Sequence, residues 1–181
     1  GVVAPLTIQP MQLIPAARGL SYSQQLSSSN GSGTISWSLI SGSLPPGLTF
    51  STTGAITGSA TLDGTYPFTV RASDSSSPPQ VVTADESIQV VEPVKITSSG
   101  MLPDACLNQP YSFAPQISGG AAPFRWGLNG YWLGSIQVDS STGLFSGTPN
   151  VTGTFTPLLG VTDATMHGDS QQISLTINQC P

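Results

Sequence analysis

Catalysis needs a base, a nucleophile or a metal held within mutual reach. This chain of 181 residues offers little of that chemistry: one histidine, nine acidic residues and two cysteines. His167 stands in "DATMHGD" between Asp163 and Asp169, and serines are abundant. A Ser-His-Asp relay can be drawn from those residue types. No Gly-x-Ser-x-Gly elbow, however, presents a nucleophile on a strand-to-helix turn, and His167 reads as an exposed loop residue. No carboxylate pair has the setting of a glycosidase, and no Cys/His set has zinc spacing. The expectation is a chain that is not an enzyme. A second chemical candidate is the run "GLNGYWLG" (127 to 134), which places Tyr131 and Trp132 directly after Asn129-Gly130. Aromatic rings on a loop stack on sugars or anchor a partner protein. They also fold back as lids over a core. Asn129, Tyr131 and Trp132 are the candidate ligand-binding residues.

The elements that position these residues follow from composition. Charged residues make up only 7%, against roughly 25% in an ordinary globular domain. Glycine (20) and proline (16) are plentiful, and short apolar runs recur at even spacing, which disordered chains lack. Net charge is −5 with four Lys and Arg in total. No basic patch can be built from so few, so nucleic acid is not an expected partner. No apolar run approaches the roughly 18 residues that span a bilayer, so no membrane insertion is expected within this segment. The opening "GVVAPLT" has no Met, basic region or cleavage site. It is expected to begin an excerpt or a processed product.

The chain says much of what it says twice. Tyr22 and Tyr111, Trp37 and Trp126, Gly54 and Gly143, Gly58 and Gly147, Gly64 and Gly153, and Asp74 and Asp163 all differ by 89 positions. A constant offset over such a span marks two copies of one module. We expect module 1 at residues 1–92 and module 2 at 93–181, with Pro93 stiffening the seam in "VVEPVKI". Within copy one, "LTIQ", "YSQQLS", "TISWSLI", "LTF", "AITG", "TYPFTVRAS" and "ESIQVV" are β-rich runs between Gly/Pro/Ser/Asn clusters. Ile35, Trp37 and Leu39 are expected to share one face, as are Tyr66, Phe68 and Val70. No segment has the spacing of an amphipathic helix. The fold class is all-β: two tandem antiparallel β-sandwiches of about seven strands each.

Copy one carries Tyr22, Trp37, "SGSLPPGL" (41 to 48), Gly54, Gly58, "GTY" (64 to 66) and Asp74. Copy two carries Tyr111, "GG" (119 to 120), Trp126, "DSSTG" (139 to 143), "SGTP" (146 to 149), "GTF" (153 to 155) and Asp163. Together these resemble the immunoglobulin-like domains found in tandem in bacterial surface and secreted proteins, relatives of the cadherin-like domains. The resemblance implies a β-sandwich in an extracellular or cell-surface setting, and a role in spacing or adhesion rather than catalysis. Its partners would be other domains of the same polypeptide, a surface protein or a glycan. An immunoglobulin core has a buried Trp on strand C and a Tyr two residues before the second Cys of strand F. Trp37 and Tyr66 fit those roles, with Phe68 in place of the cysteine. Copy two has Phe155 and Pro157 at the matching positions and loses the tyrosine hydroxyl.

Neither copy holds the usual core cysteine pair. Cys106 and Cys180 both lie in copy two, at points that fall on the same pole of such a sandwich, and are expected to form a disulfide. The alternative is two free thiols, which would suit a reducing compartment. Cadherin-like domains place calcium at module junctions, and the resemblance makes Asp163, Glu92 and Asp104 the candidate ligands. The Asp- and Asn-rich cadherin linker and its acidic motifs are missing, so the alternative is an Asp that caps its own loop. No cofactor is required by this reading; calcium is the one candidate ion. "NGS" at Asn30 and "NVT" at Asn150 are formal glycosylation sequons, relevant only in a eukaryotic secretory route.

Overall fold

The structure is a computed structural model that describes residues 4–130 and 135–181. Its chain divides into two compact units, Gly1–Glu92 and Pro93–Pro181. Among the described residues every regular element is a strand, and no helix is long and apolar enough to cross a membrane.

Unit 1 contains β1 (Thr7–Ile8), β2 (Ala16–Ala17), β3 (Ser21–Gln25), β4 (Ser28–Ser29), β5 (Ser36–Gly42), β6 (Leu48–Phe50), β7 (Ala55–Ser59), β8 (Gly64–Ser73) and β9 (Val81–Val91). One sheet runs β2-β9-β8-β5, and the facing sheet holds β3-β7-β6, with a β1-β4 pair beside it. β1 is antiparallel to β4, whereas β2 is parallel to β9. The first stretch of chain therefore changes sheets between Ile8 and Ala16. Alternation along β8 turns Phe68, Val70 and Ala72 inward, where they meet Trp37, Ile56 and Ile88 in one core.

Two details depart from the sequence reading. Leu39 keeps the parity of Trp37, opposite buried Val70 as Trp37 is opposite buried Ala72, yet it is exposed on the edge strand of its sheet. The register shifts between Leu39 and Ser41, and a bulge re-aims the side chains that follow it. β9 also starts at Val81 rather than near Glu86. Its first half is polar enough to read as loop, yet it pairs with β8 along its whole length.

Unit 2 contains β10 (Lys95–Ile96), β11 (Ala105–Cys106), β12 (Tyr111–Phe113), β13 (Ile117–Ser118), β14 (Arg125–Asn129), β15 (Gln137–Val138), β16 (Phe145–Gly147), β17 (Gly153–Phe155), β18 (Leu158–Thr162), β19 (Gly168–Gln172) and β20 (Leu175–Asn178). Its pairings, β11-β20-β17, β14-β18-β19 and β12-β16-β15, include a parallel β11–β20 ladder. Where unit 1 runs β8 unbroken, unit 2 splits the stretch into β17 and β18 at Thr156-Pro157. Proline has no N–H to give a ladder. The core gathers Trp126, Phe145, Leu159, Val161 and Leu175. Phe113 meets Phe145 edge to face, with ring centroids 6.1 Å apart.

Candidate functional site

The polar chemistry of each unit converges on one buried aspartate. Asp74 follows β8 directly and is only 5% exposed. Its Oδ2 accepts the Ser32 N–H at 2.9 Å. Its Oδ1 accepts the Ser76 hydroxyl at 2.6 Å, the Ser76 N–H at 3.2 Å and the Gln80 N–H at 2.7 Å. One carboxylate thus fastens the turn before β5 to the turn after β8. Donors aimed at a carboxylate favour its charged form. The Ser76 hydroxyl foremost, with the N–H groups of Gln80, Ser32 and Ser76, holds Asp74 down at about 2. Unit 2 repeats the arrangement 89 positions on. Asp163 Oδ2 accepts the Ala121 N–H at 2.8 Å, and Oδ1 accepts both the N–H and the hydroxyl of Thr165.

A carboxyl whose folded pKa lies below its ordinary 3.8 stabilises the fold above that value. The contribution is lost as pH falls through about 2. Asp74→Asn is therefore expected to lower the urea midpoint at pH 5, with the gap to the parent chain narrowing at pH 2. A gap of equal size at both pH values would show that the charge is not what fastens the loops.

The three candidate calcium ligands have separate partners. Asp163 is engaged as above. Asp104 Oδ2 accepts from Asn178 Nδ2 at 3.0 Å. Glu92, in unit 1, lies 3.8 Å from Arg18, which also pairs with Asp63 at 3.0 Å. Among the described residues no three His, Cys, Asp or Glu side chains are grouped to hold a metal ion.

His167 is half-buried rather than exposed, and its Nδ1 lies 3.0 Å from the Thr165 carbonyl oxygen. Asp169, its other acidic neighbour in sequence, accepts the Ile96 N–H at 2.8 Å and the Ser170 N–H at 2.8 Å. Both aspartates that flank the histidine are thus bonded to backbone N–H groups. Asp139 forms an Asx turn: the Ser141 hydroxyl at 2.7 Å, the Thr142 N–H at 2.8 Å and further donors from both residues push its pKa down. Tyr111 donates its hydroxyl to the Pro103 carbonyl at 3.1 Å. Burial first, then the nearby Asp104 charge, pushes it up to about 12.

Asn129 closes β14 opposite Leu158 and is exposed. Tyr131 and Trp132 lie outside the described residues. Beside Asn129 the structure shows a feature that the reading of the sequence missed. A concavity of about 630 Å³ lies along β14, β18 and β19, with Arg125, Gly127, Asn129, Gly160, Thr162 and Asp169 among its lining residues. Gly127 and Gly160 face one another in register. The equivalent pair in unit 1 is Ser38 and Arg71, also in register. Two side chains are missing from the middle of this sheet in copy two, and the 89-residue offset carries that signal.

Cys106, in β11, is bonded to Cys180, with their Cα atoms 5.4 Å apart. The bridge ties the parallel edge strand to the chain just beyond β20.

A family model described as "Putative Ig domain" matches residues 4–99. No curated protein matches the chain in sequence. Among solved structures the chain is similar to a "putative alpha-galactosidase" from Bacteroides fragilis NCTC 9343, at 24% identity over 47% of this chain and 17% of that one, with a TM-score of 0.42. It is also similar to the protocadherin GammaB4 extracellular domain (15% identity, 98% of this chain, 34% of that one, TM-score 0.41). A third similar structure is mouse cadherin-23 EC22-24 (16% identity, 97% and 64%, TM-score 0.41). The chain spans less than two thirds of each of these proteins. In unit 1 the core Trp37 sits on β5, and Tyr66 at the start of β8 closes its hydroxyl on the Leu62 carbonyl at 3.1 Å, as an immunoglobulin tyrosine corner does. That core and corner fall within the matched residues, and the chain belongs to the "Putative Ig domain" family.

Proposed function

We propose that this chain is a non-catalytic extracellular segment of a larger bacterial surface or secreted protein, serving as a spacer and adhesion module. The observation that carries this reading is the use made of the buried carboxylates. Asp74 and Asp163, at the same place in both units, fasten two loops each. The Cys106–Cys180 bond supports an oxidising compartment, where structural disulfides persist.

Thermal melts in millimolar calcium and in chelator test the reading. A ligand that binds only the folded state must raise its midpoint, so a passive spacer melts alike in both. A rise of several degrees with calcium would replace this reading with a calcium-rigidified adhesion repeat and direct attention to Asp163, Glu92 and Asp104. Antibody labelling of intact source cells tests the location: signal only after permeabilisation removes the extracellular assignment.

A second reading has its own observation. The concavity over Gly127 and Gly160 combines open backbone with the polar groups of Arg125, Asn129 and Thr162. Such a surface suits a carbohydrate-binding accessory module of a secreted enzyme. A glycan array on the parent chain and on Arg125→Ala/Asn129→Ala separates the two. Signal lost in the double variant favours the glycan, and a blank array favours the spacer.

A further inference from the structure

The two copies part company along the edge of one strand. β9 pairs with β8 from Val81 to Val90. On its other edge β2 reaches only Val90 and Val91. Among the described residues no strand pairs with that edge between Val81 and Gln89, a run of about 30 Å at strand rise. In unit 2 the incoming chain bonds to the corresponding edge at Ser174. Met101 bridges to Ser174, the Leu102 N–H donates to the Ser174 carbonyl at 2.9 Å, and the Ser174 N–H donates to the Gly100 carbonyl. Shifted back by 89 positions, those contacts would join Met11–Leu13 to Asp85. Unit 1 instead has a concavity of about 860 Å³, with Pro10, Met11 and Leu13 on one side and Asp85, Glu86 and Ser87 on the other. Pro10 and Pro15 stand in this covering segment where copy two has Ser99 and Asp104. Neither proline has an N–H for a ladder.

Glu86 occupies the inward parity of β9, in step with Ile88 and Val90. Its counterpart in copy two is Leu175, which is wholly buried. A half-buried carboxylate thus stands at a core-facing position, and burial pushes its pKa up. The same charge adds to burial in raising Tyr22. Among the described residues the ion pairs are those of Arg18 with Asp63 and Glu92, so no Lys or Arg pairs with Glu86.

We propose that the open edge of β9 is the docking site for an extended segment of another protein, which adds as a strand and sets a Lys or Arg against Glu86. Strand addition draws affinity from main-chain hydrogen bonds and specificity from alternate side chains. The free edge supplies the first and the Glu86 concavity the second. A second copy of this chain is a poor donor. Of its four cations Arg18 is engaged, Arg71 lies in a strand paired on both edges and Lys95 in a strand of two residues, which leaves Arg125 on β14.

The test uses the whole 15N-labelled chain and two nine-residue peptides of alternating threonine and valine, one with a central lysine and one with a central glutamate. The lysine peptide is expected to shift the amides of Val81–Gln89 and slow their exchange. Glu86→Gln, which conserves shape, should weaken that binding at least tenfold, and the glutamate twin should not bind. Equal binding of both peptides, equal binding by Glu86→Gln, or unshifted β9 amides would each overturn the proposal. Inward charges also protect edge strands from self-association. If Glu86→Leu sediments as a dimer or larger while the lysine peptide leaves the parent chain unshifted, the carboxylate is a guard and the docking site falls.

Discussion

Reducing the Cys106–Cys180 disulfide is expected to cost unit 2 about 4 kcal/mol on the chain-entropy account of closing a loop of this length. The bond spans a sequence separation of 74, so it removes much of the freedom of the unfolded unit. The unit has a physical need for it. Pro157 interrupts the strand that unit 1 runs unbroken, and Phe155 lacks the hydroxyl with which Tyr66 closes its corner. Cys180 is exposed, so reductant can reach the bond. Hydrogen exchange on the whole chain, with and without reductant, checks the prediction. Protection should fall among the amides of β11, β17 and β20. Cys106→Ala/Cys180→Ala should reproduce that loss without reductant. Unchanged protection in both experiments would mean that native packing alone specifies the edge pairing.

Trp37→Ala is expected to remove about 3–5 kcal/mol, the usual cost of deleting a large aromatic from a packed core. Trp37 is 5% exposed and lies among Phe68, Val70 and Ile56 in the core of unit 1. One side of its ring is covered by Gly54, where an added Cβ would stand 3.1 Å from ring atoms. Trp126 and Gly143 repeat the pairing, but a Cβ on Gly143 would stand only 2.6 Å from the ring, on backbone at φ +75°. Gly54 is likewise at positive φ, +85°, so the backbone strain is common to both, and overpacking against the ring, about 1–3 kcal/mol, sets the difference. Gly143→Ala should therefore cost more than Gly54→Ala. Urea midpoints for the three variants read out both claims, and equal midpoints for the two glycine variants would show that the Trp126 ring can move aside.

These pairs show why much of the fold was legible before any coordinates. Tryptophan, turn glycine and aspartate recur at one offset because each does a job that few other residue types can do. The ring fills the space between sheets, the glycine lies flat against it at positive φ, and the aspartate accepts several donors from two loops. The partners of that aspartate were less legible. Ser32 and Ala121 offer only backbone N–H groups, which any residue except proline supplies, so no side chain marks them. The aromatic pair Tyr131 and Trp132 drew attention by residue type, while the concavity lined by Asn129 is made by glycines, whose signal is an absence.

The sequence by itself determined the β-class, the repeated positions, the core aromatics and the candidate cysteine pair, because alternation, turn residues and spacing are local or periodic properties. Tertiary structure alone decided which face each strand position meets and which strand edges are covered. Leu39 keeps an inward parity yet stands exposed on an edge strand, a polar-looking stretch from Val81 becomes half of β9, and Glu86 stands where Leu175 is buried in the other unit. Parity and edge pairing depend on what packs across the sheet and beside it, and those neighbours are distant in the chain.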